Sequence, residues 1–143
     1  MLLRLLLIFL FSFYSIDAFP DVDSKAPQKA QNIESILLKG GFSGIFDKNT
    51  KMSFIGQYKS EKIDRKAYYY EREFGSARRM TKRVVIVSGD VYSGMYSVPD
   101  GPPVLKDGTL IFPNQNNGRC ISLKDEELPQ RVLIDGEMLE LFK

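Results

Sequence analysis

The feature that most constrains this chain is a run of four consecutive β-branched residues, Val84-Val85-Ile86-Val87. Such residues fit a pleated, packed surface and resist other backbone states, so the run predicts a strand. It lies inside the stretch Arg78 to Val98, which reads as two strands joined by a tight turn at Gly89-Asp90. Glycine at the first central position of a two-residue loop suits a type II′ turn, whose twist matches that of the flanking strands. This register sets Val87 opposite Tyr92, Val85 opposite Gly94 and Arg83 opposite Tyr96. Further strands are expected on both sides of the hairpin.

The first residues do not belong to that architecture. Arg4 marks a short basic start, Leu5 to Tyr14 is apolar, and Ser15 to Ala18 leads to a cut after Ala18. An apolar run this short cannot span a bilayer of about 30 Å, which takes roughly 20 helical residues. Residues 1–18 therefore read as a signal peptide. The competing readings are an N-terminal anchor or a buried helix. No Cys follows the apolar core to carry a lipid, and no later segment is long and apolar enough to cross a membrane. The expected location is secreted or periplasmic. Cleavage would remove one Arg and one Asp, leaving the net charge at +2. A near-balanced charge argues against a dedicated polyanion binder. The single Cys120 excludes an internal disulfide, so packing alone must hold the exported domain. A buried thiol is the simplest reading of Cys120, and pairing with another chain is the alternative.

Phe19 to Lys25 reads as a flexible lead, and residues 26–143 as a single β-rich domain. Ala26 to Lys39 fits a short helix with Ile33, Ile36 and Leu37 on one face. Gly40-Gly41 would end it in a left-handed cap, unless a strand already begins at Ile36. From Phe42 the pattern changes to period two with frequent turns. Phe42 to Phe46, Met52 to Tyr58 and Lys66 to Phe74 read as strands, with turns at Asp47 to Thr50 and at Gly75-Ser76-Ala77. This places Glu73 opposite Arg79 and Glu71 near Thr81 or Arg83. Pro99 to Pro103 cannot continue a central strand because proline lacks the donor N–H. Short strands follow at Thr109 to Phe112 and Arg119 to Leu123, separated by the polar loop Asn114 to Gly118. Arg131 to Phe142 closes the chain as a hairpin around Asp135-Gly136, a type I′ signal. The expected fold is mainly β, a small antiparallel meander closed into a barrel or folded into a sandwich, with one short N-terminal helix.

Composition narrows the chemistry. The chain contains no His, which excludes a Ser-His-Asp triad, a Cys-His dyad and a His-based metal site. One Cys excludes a Cys-rich zinc cluster, and the carboxylates lack the spacing of a calcium loop. No Gly-rich loop opens a helix after a strand, so no phosphate cradle is expected. Gly40 to Gly44 lies on the wrong side of the helix for one. Neither cofactor, metal nor catalytic residue is assigned. Asp125-Glu126-Glu127 is the densest acidic group, and such loop runs are ordinarily solvated.

Tyr68, Tyr69, Tyr70, Arg72, Arg79, Arg83, Tyr92 and Tyr96 form the constellation chosen as a binding surface. Nine basic and four acidic residues lie between Lys59 and Arg83. Tyr and Arg combine large contact area with polar tips and are enriched at protein-binding hot spots. Alternation puts Tyr68, Tyr70 and Arg72 on one face and Tyr69, Glu71 and Glu73 on the other. At least one of these faces should meet solvent or a partner unless a second sheet covers it. Glu71 and Glu73 among the basic residues disfavour nucleic acid. The reading is an exported, non-enzymatic binding or inhibitor-type β-domain that recognises a protein or surface glycan, with the Pro99–Pro103 loop contributing. Two alternatives are weighed against it. One is a small carboxylate-dependent hydrolase or lyase using Glu71, Glu73, Arg83 and Tyr92. The other is a structural subunit of an envelope assembly docking by an open sheet edge.

Overall fold

The computed structural model of the protein describes residues 26–99, 101–113, 120–134 and 136–143, with side chains from residue 32 onward. The signal-peptide and lead assignments, at 1–18 and 19–25, lie outside the described residues, as does the loop Asn114 to Gly118. The fold is mainly β. A helix α1 (Ala26–Lys39) precedes β1 (Thr50–Lys59), β2 (Asp64–Phe74), β3 (Arg79–Ser88) and β4 (Val91–Ser97). Then come β5 (Val104–Lys106), β6 (Thr109–Ile111), β7 (Ile121–Ser122), β8 (Arg131–Ile134) and β9 (Glu137–Phe142). They form two antiparallel sheets, six-stranded in the order β1-β2-β3-β4-β9-β8 and three-stranded in the order β5-β6-β7. The described strands form an open two-sheet meander, not a closed barrel.

The predicted run sits at the centre. Val84, Val85, Ile86 and Val87 are each at most 1% exposed, although their side chains alternate between two faces. Both faces are therefore covered. The inner face (Ala67, Tyr69, Val84, Ile86, Tyr96) packs with Leu110 of β6, Ile121 of β7, and Leu123 and Leu128 of the following segment. The outer face (Tyr70, Val85, Val87, Tyr92, Met95) is covered by Ile33 and Leu37 of α1 and by Phe42. Each large apolar side chain removed from water contributes roughly 1.5–3 kcal/mol, so a strand buried on both sides anchors everything around it.

The helix ends as its sequence predicts. Gly41 has φ +85°, Phe42 N–H donates to Leu37 O at 2.9 Å and Gly41 N–H to Leu38 O at 3.2 Å. This is the paired Schellman arrangement, with Phe42 and Leu37 buried in the same cluster. The strand expected at Phe42 to Phe46 does not form. Its chain instead crosses the outer face, and Tyr70 takes over the role of a ladder partner. The Tyr70 hydroxyl donates to Ile45 O at 2.6 Å and accepts from Ile45 N–H at 3.1 Å.

Two β-bulges reset the expected registers. Val87 does pair with Tyr92, but the next pair is Ile86 with Gly94, so Ser93 is an extra residue. Val85 therefore faces Met95, and Arg83 faces Ser97. The turn itself agrees with expectation: Gly89 has φ +59° and Asp90 no positive φ, as type II′ requires. On β2 and β3, Glu73 faces Met80 and Glu71 faces Lys82, one residue from the expected pairing. The cause is a four-residue connection, Gly75 to Arg78, in which Arg78 itself adopts φ +50°. In β1 the extra residue is Ile55, which turns into the inner core and brings Gly56 against Leu105. The closing hairpin forms around the predicted position, with Ile134 opposite Glu137 and Gly136 at φ +79°, while Asp135 lies outside the described residues.

Candidate functional site

The register distributes the eight selected residues over both faces. Tyr68, Tyr70, Arg72, Arg79, Arg83 and Tyr92 project to the outer, helix-bearing face, and Tyr69 and Tyr96 to the inner core. Tyr92 and Tyr96 would share a face in a regular strand; the extra Ser93 between them sends them to opposite sides. The expected open tyrosine face does not exist as such. Tyr69, Tyr70 and Tyr96 are at most 2% exposed and Tyr92 is 8% exposed, so all four are core residues that no partner touches in this conformation. Tyr96 donates to Pro129 O at 2.7 Å and Tyr92 to Phe142 O at 3.3 Å. Burial pushes both phenols above their ordinary pKa, against a smaller opposing pull from Arg65 at Tyr96 and from Arg83 at Tyr92.

What stays accessible lies at the margins of the helix and the Phe42–Phe46 segment. Phe54 of β1 is 60% exposed, and its ring centroid lies 5.3 Å from that of Tyr68 at an interplanar angle of 57°. Tyr68 is half-buried, and its phenol is pushed up by burial and by the charge of Asp90. At the far end of the same face Arg79 is exposed and Arg72 is half-buried. Arg72 pairs with Asp47 at 2.7 Å. The Arg72 hydrogen bond, helped by Asn49 N–H, holds the Asp47 carboxyl below its ordinary value. Arg83 sits between these margins with its guanidinium carbon 5.9 Å from the ring centroids of both Phe42 and Tyr70. Of the Pro99–Pro103 loop, Pro103 is buried, Pro99 and Pro102 are exposed, and Asp100 is outside the described residues.

A second region was not anticipated. Two adjoining solvent-open depressions, of about 310 and 270 Å³, share Arg65, Ser88 and Glu126 at one end of the inner core. Lys62 and Asp64 flank the first; Ser93, Gln130 and Lys143 line the second. The bulge carries Ser93 toward Ser88, and its hydroxyl donates to the Ser88 hydroxyl at 2.6 Å. Arg65 is 7% exposed and ties the acidic segment down. It donates to the backbone carbonyls of Leu123 at 3.0 Å, Glu126 at 2.6 Å and Asp125. Nothing in the spacing of Ser88, Ser93 and Arg65 announces this meeting, since it depends on a bulge and on a contact about 60 residues away.

Glu71 faces Lys82 and Lys51 across its neighbouring strands, and Glu73 lies 3.6 Å from Arg78. Neither lines the depressions. The Ser88–Ser93 pair has no imidazole to draw off its proton, because the chain has none. Among the described residues no group of three or more carboxylate or Cys side chains could hold a metal ion. Among them, too, no helix is long and apolar enough to cross a membrane. Comparison with protein-family models, curated proteins and solved structures returned no match to any of the three.

Proposed function

We propose that this chain is an exported, non-enzymatic binding domain of inhibitor type that recognises a protein through the uncovered margins of its helix-bearing face. The observation that carries the reading is Phe54, an aromatic ring 60% exposed on the helix-bearing face and leaning on Tyr68. Exposed rings of this size anchor partners by filling pockets, and Arg79 beyond them supplies a polar, charged tip. A protein fits better than a glycan. A sugar ring stacks on a flat platform, whereas the Phe54 and Tyr68 rings are tilted by 57° to one another and do not form a shared one. Export accords with the basic-apolar start and its Ala18 terminus.

The alternatives find less support. The enzyme reading rests on Glu71 and Glu73, and neither lines a depression: Glu73 lies 3.6 Å from Arg78 and Glu71 faces Lys51 and Lys82. Assembly by an open edge would use β1, which is ten residues long. That edge carries exposed Lys51 and Lys59 and is bent by the Ile55 bulge, both of which blunt strand addition.

The reading is tested by affinity capture from the native compartment with the native chain and a Phe54→Ser, Arg79→Ser variant. Tyr69 and Tyr70 are unsuitable probes because their loss would damage the core. A protein retained by the native chain and weakened about tenfold or more by the variant is expected. Equal retention by both, with both folded, would rule this surface out.

A further inference from the structure

Arg83 is placed differently from the other arginines of the sheet. It lies opposite Tyr70 on β2 and Ser97 on β4, on the helix-bearing face. Its guanidinium rests against the Phe42 and Tyr70 rings. Its Nη1 donates only to the thioether sulfur of Met95, at 3.4 Å, and thioethers are weak acceptors. Its Nε is buried with no acceptor among the described residues. Among the described residues no carboxylate comes within ion-pair distance of it, and Asp47, on the same face, is held by Arg72 at 2.7 Å.

The contrast with Arg65 is instructive. That guanidinium is also withdrawn from water, but three backbone carbonyls receive its protons. Arg83 has given up part of its hydration for two aromatic faces and a sulfur, and a cation so placed still lacks compensating charge. Its residue as a whole is only half-buried. A planar fork with spare donors, clamped by rings in one orientation, is matched by a planar carboxylate, which can accept two parallel bonds. Arg79 stands four residues earlier on the same face of β3, roughly 13 Å away along the strand. It is exposed and extends the positive field.

Resting on the binding-domain reading above, we propose that Arg83, backed by Phe42 and Tyr70, is a carboxylate-binding subsite, and that the docking segment of the partner is an acidic peptide. An extended segment bearing carboxylates about four residues apart would reach Arg83 and Arg79 together.

The test uses the full chain and a defined probe. The side-chain Nε–H resonance of Arg83, assigned by its loss in Arg83→Met, is followed by NMR during titration with an acetylated hexaglutamate peptide. A saturable shift is expected in the native chain, and backbone amide shifts followed in the same titration should give an affinity reduced about tenfold in Arg83→Met and also weakened in Arg83→Lys, which keeps the charge but loses the fork. Amide dispersion verifies that each variant is folded. A resonance that hexaglutamate leaves unmoved would overturn the subsite, and so would Arg83→Met binding the peptide as the native chain does. An equal shift with inorganic phosphate would overturn the carboxylate assignment. No native partner is needed, so a silent resonance counts against this subsite and a failed capture counts against the wider reading.

Discussion

At the scale of single residues, the fate of two arginines and four tyrosines decides how this molecule works. Tyr69, Tyr70, Tyr92 and Tyr96 spend their rings on the core, and Tyr70 and Tyr96 spend their hydroxyls on backbone groups outside the strands, at Ile45 and Pro129. Arg65 does the same with a charged group, tying down the backbone of Leu123, Asp125 and Glu126 while the acidic side chains of Asp125 to Glu127 stay exposed. Replacing Arg65 with Met preserves the stem and removes the donors, leaving three carbonyls to find water. A loss of about 1–3 kcal/mol is expected, read from the urea midpoint at unchanged slope. An unchanged midpoint would mean that these bonds add nothing beyond what water offers.

At the scale of elements, glycines and bulges set which side chains can meet. Gly94 follows the extra residue Ser93 and has φ +145°. A Cβ there would lie 2.6 Å from Leu141 Cδ1 and 2.9 Å from the backbone oxygen of Phe142. β4 can approach β9 only because this side chain is absent, and that approach joins the β8–β9 hairpin to the rest of the sheet. Gly94→Ala is therefore expected to cost about 2–4 kcal/mol through both strain and contact. Faster hydrogen exchange should be confined to β8 and β9 at first. Uniform protection matching the native chain would show that the sheet accommodates the methyl group.

The whole molecule is a sheet insulated on both sides, and its response to alkali follows from that. Burial raises the phenols of Tyr96, Tyr92 and Tyr68 above the ordinary value of 10.0. The raised value means the folded state keeps its protons where the unfolded chain releases them. The stabilising effect is thus complete below pH 10.0 and is lost as pH climbs through the folded-state values. Denaturant midpoints measured on the alkaline side should fall with a slope of up to about 1.4 kcal/mol per pH unit for each phenol involved. Tyrosinate absorbance should rise together with unfolding. Tyr96→Phe should start from a lower stability and decline less steeply; an identical slope would exclude Tyr96 from the effect.

How much of this was legible beforehand varies with the range of the interaction involved. The helix from Ala26 to Lys39, its Gly41 cap, the Gly89 turn and the β-rich class follow from local preferences, and local preferences are carried by adjacent residues. The double burial of β3 was also written in the chain. Four apolar residues in succession put two on each face, and a strand with a wet face would alternate. The expectation that one tyrosine-bearing face meets solvent treats β2 alone, although β2 shares both of its faces with this run. The bulges at Ile55 and Ser93 have no comparable signature, and each one reverses the side on which later residues fall. The pairing of Arg65 with residues about 60 positions away, the seat of Arg83 between Phe42 and Tyr70, and the exposure of Phe54 are consequences of how the layers close. The sequence by itself determined what each segment would become and excluded imidazole chemistry. Which faces were sealed, and which few side chains remained free to meet a partner, was decided only when distant strands packed, because burial is a property of neighbours in space.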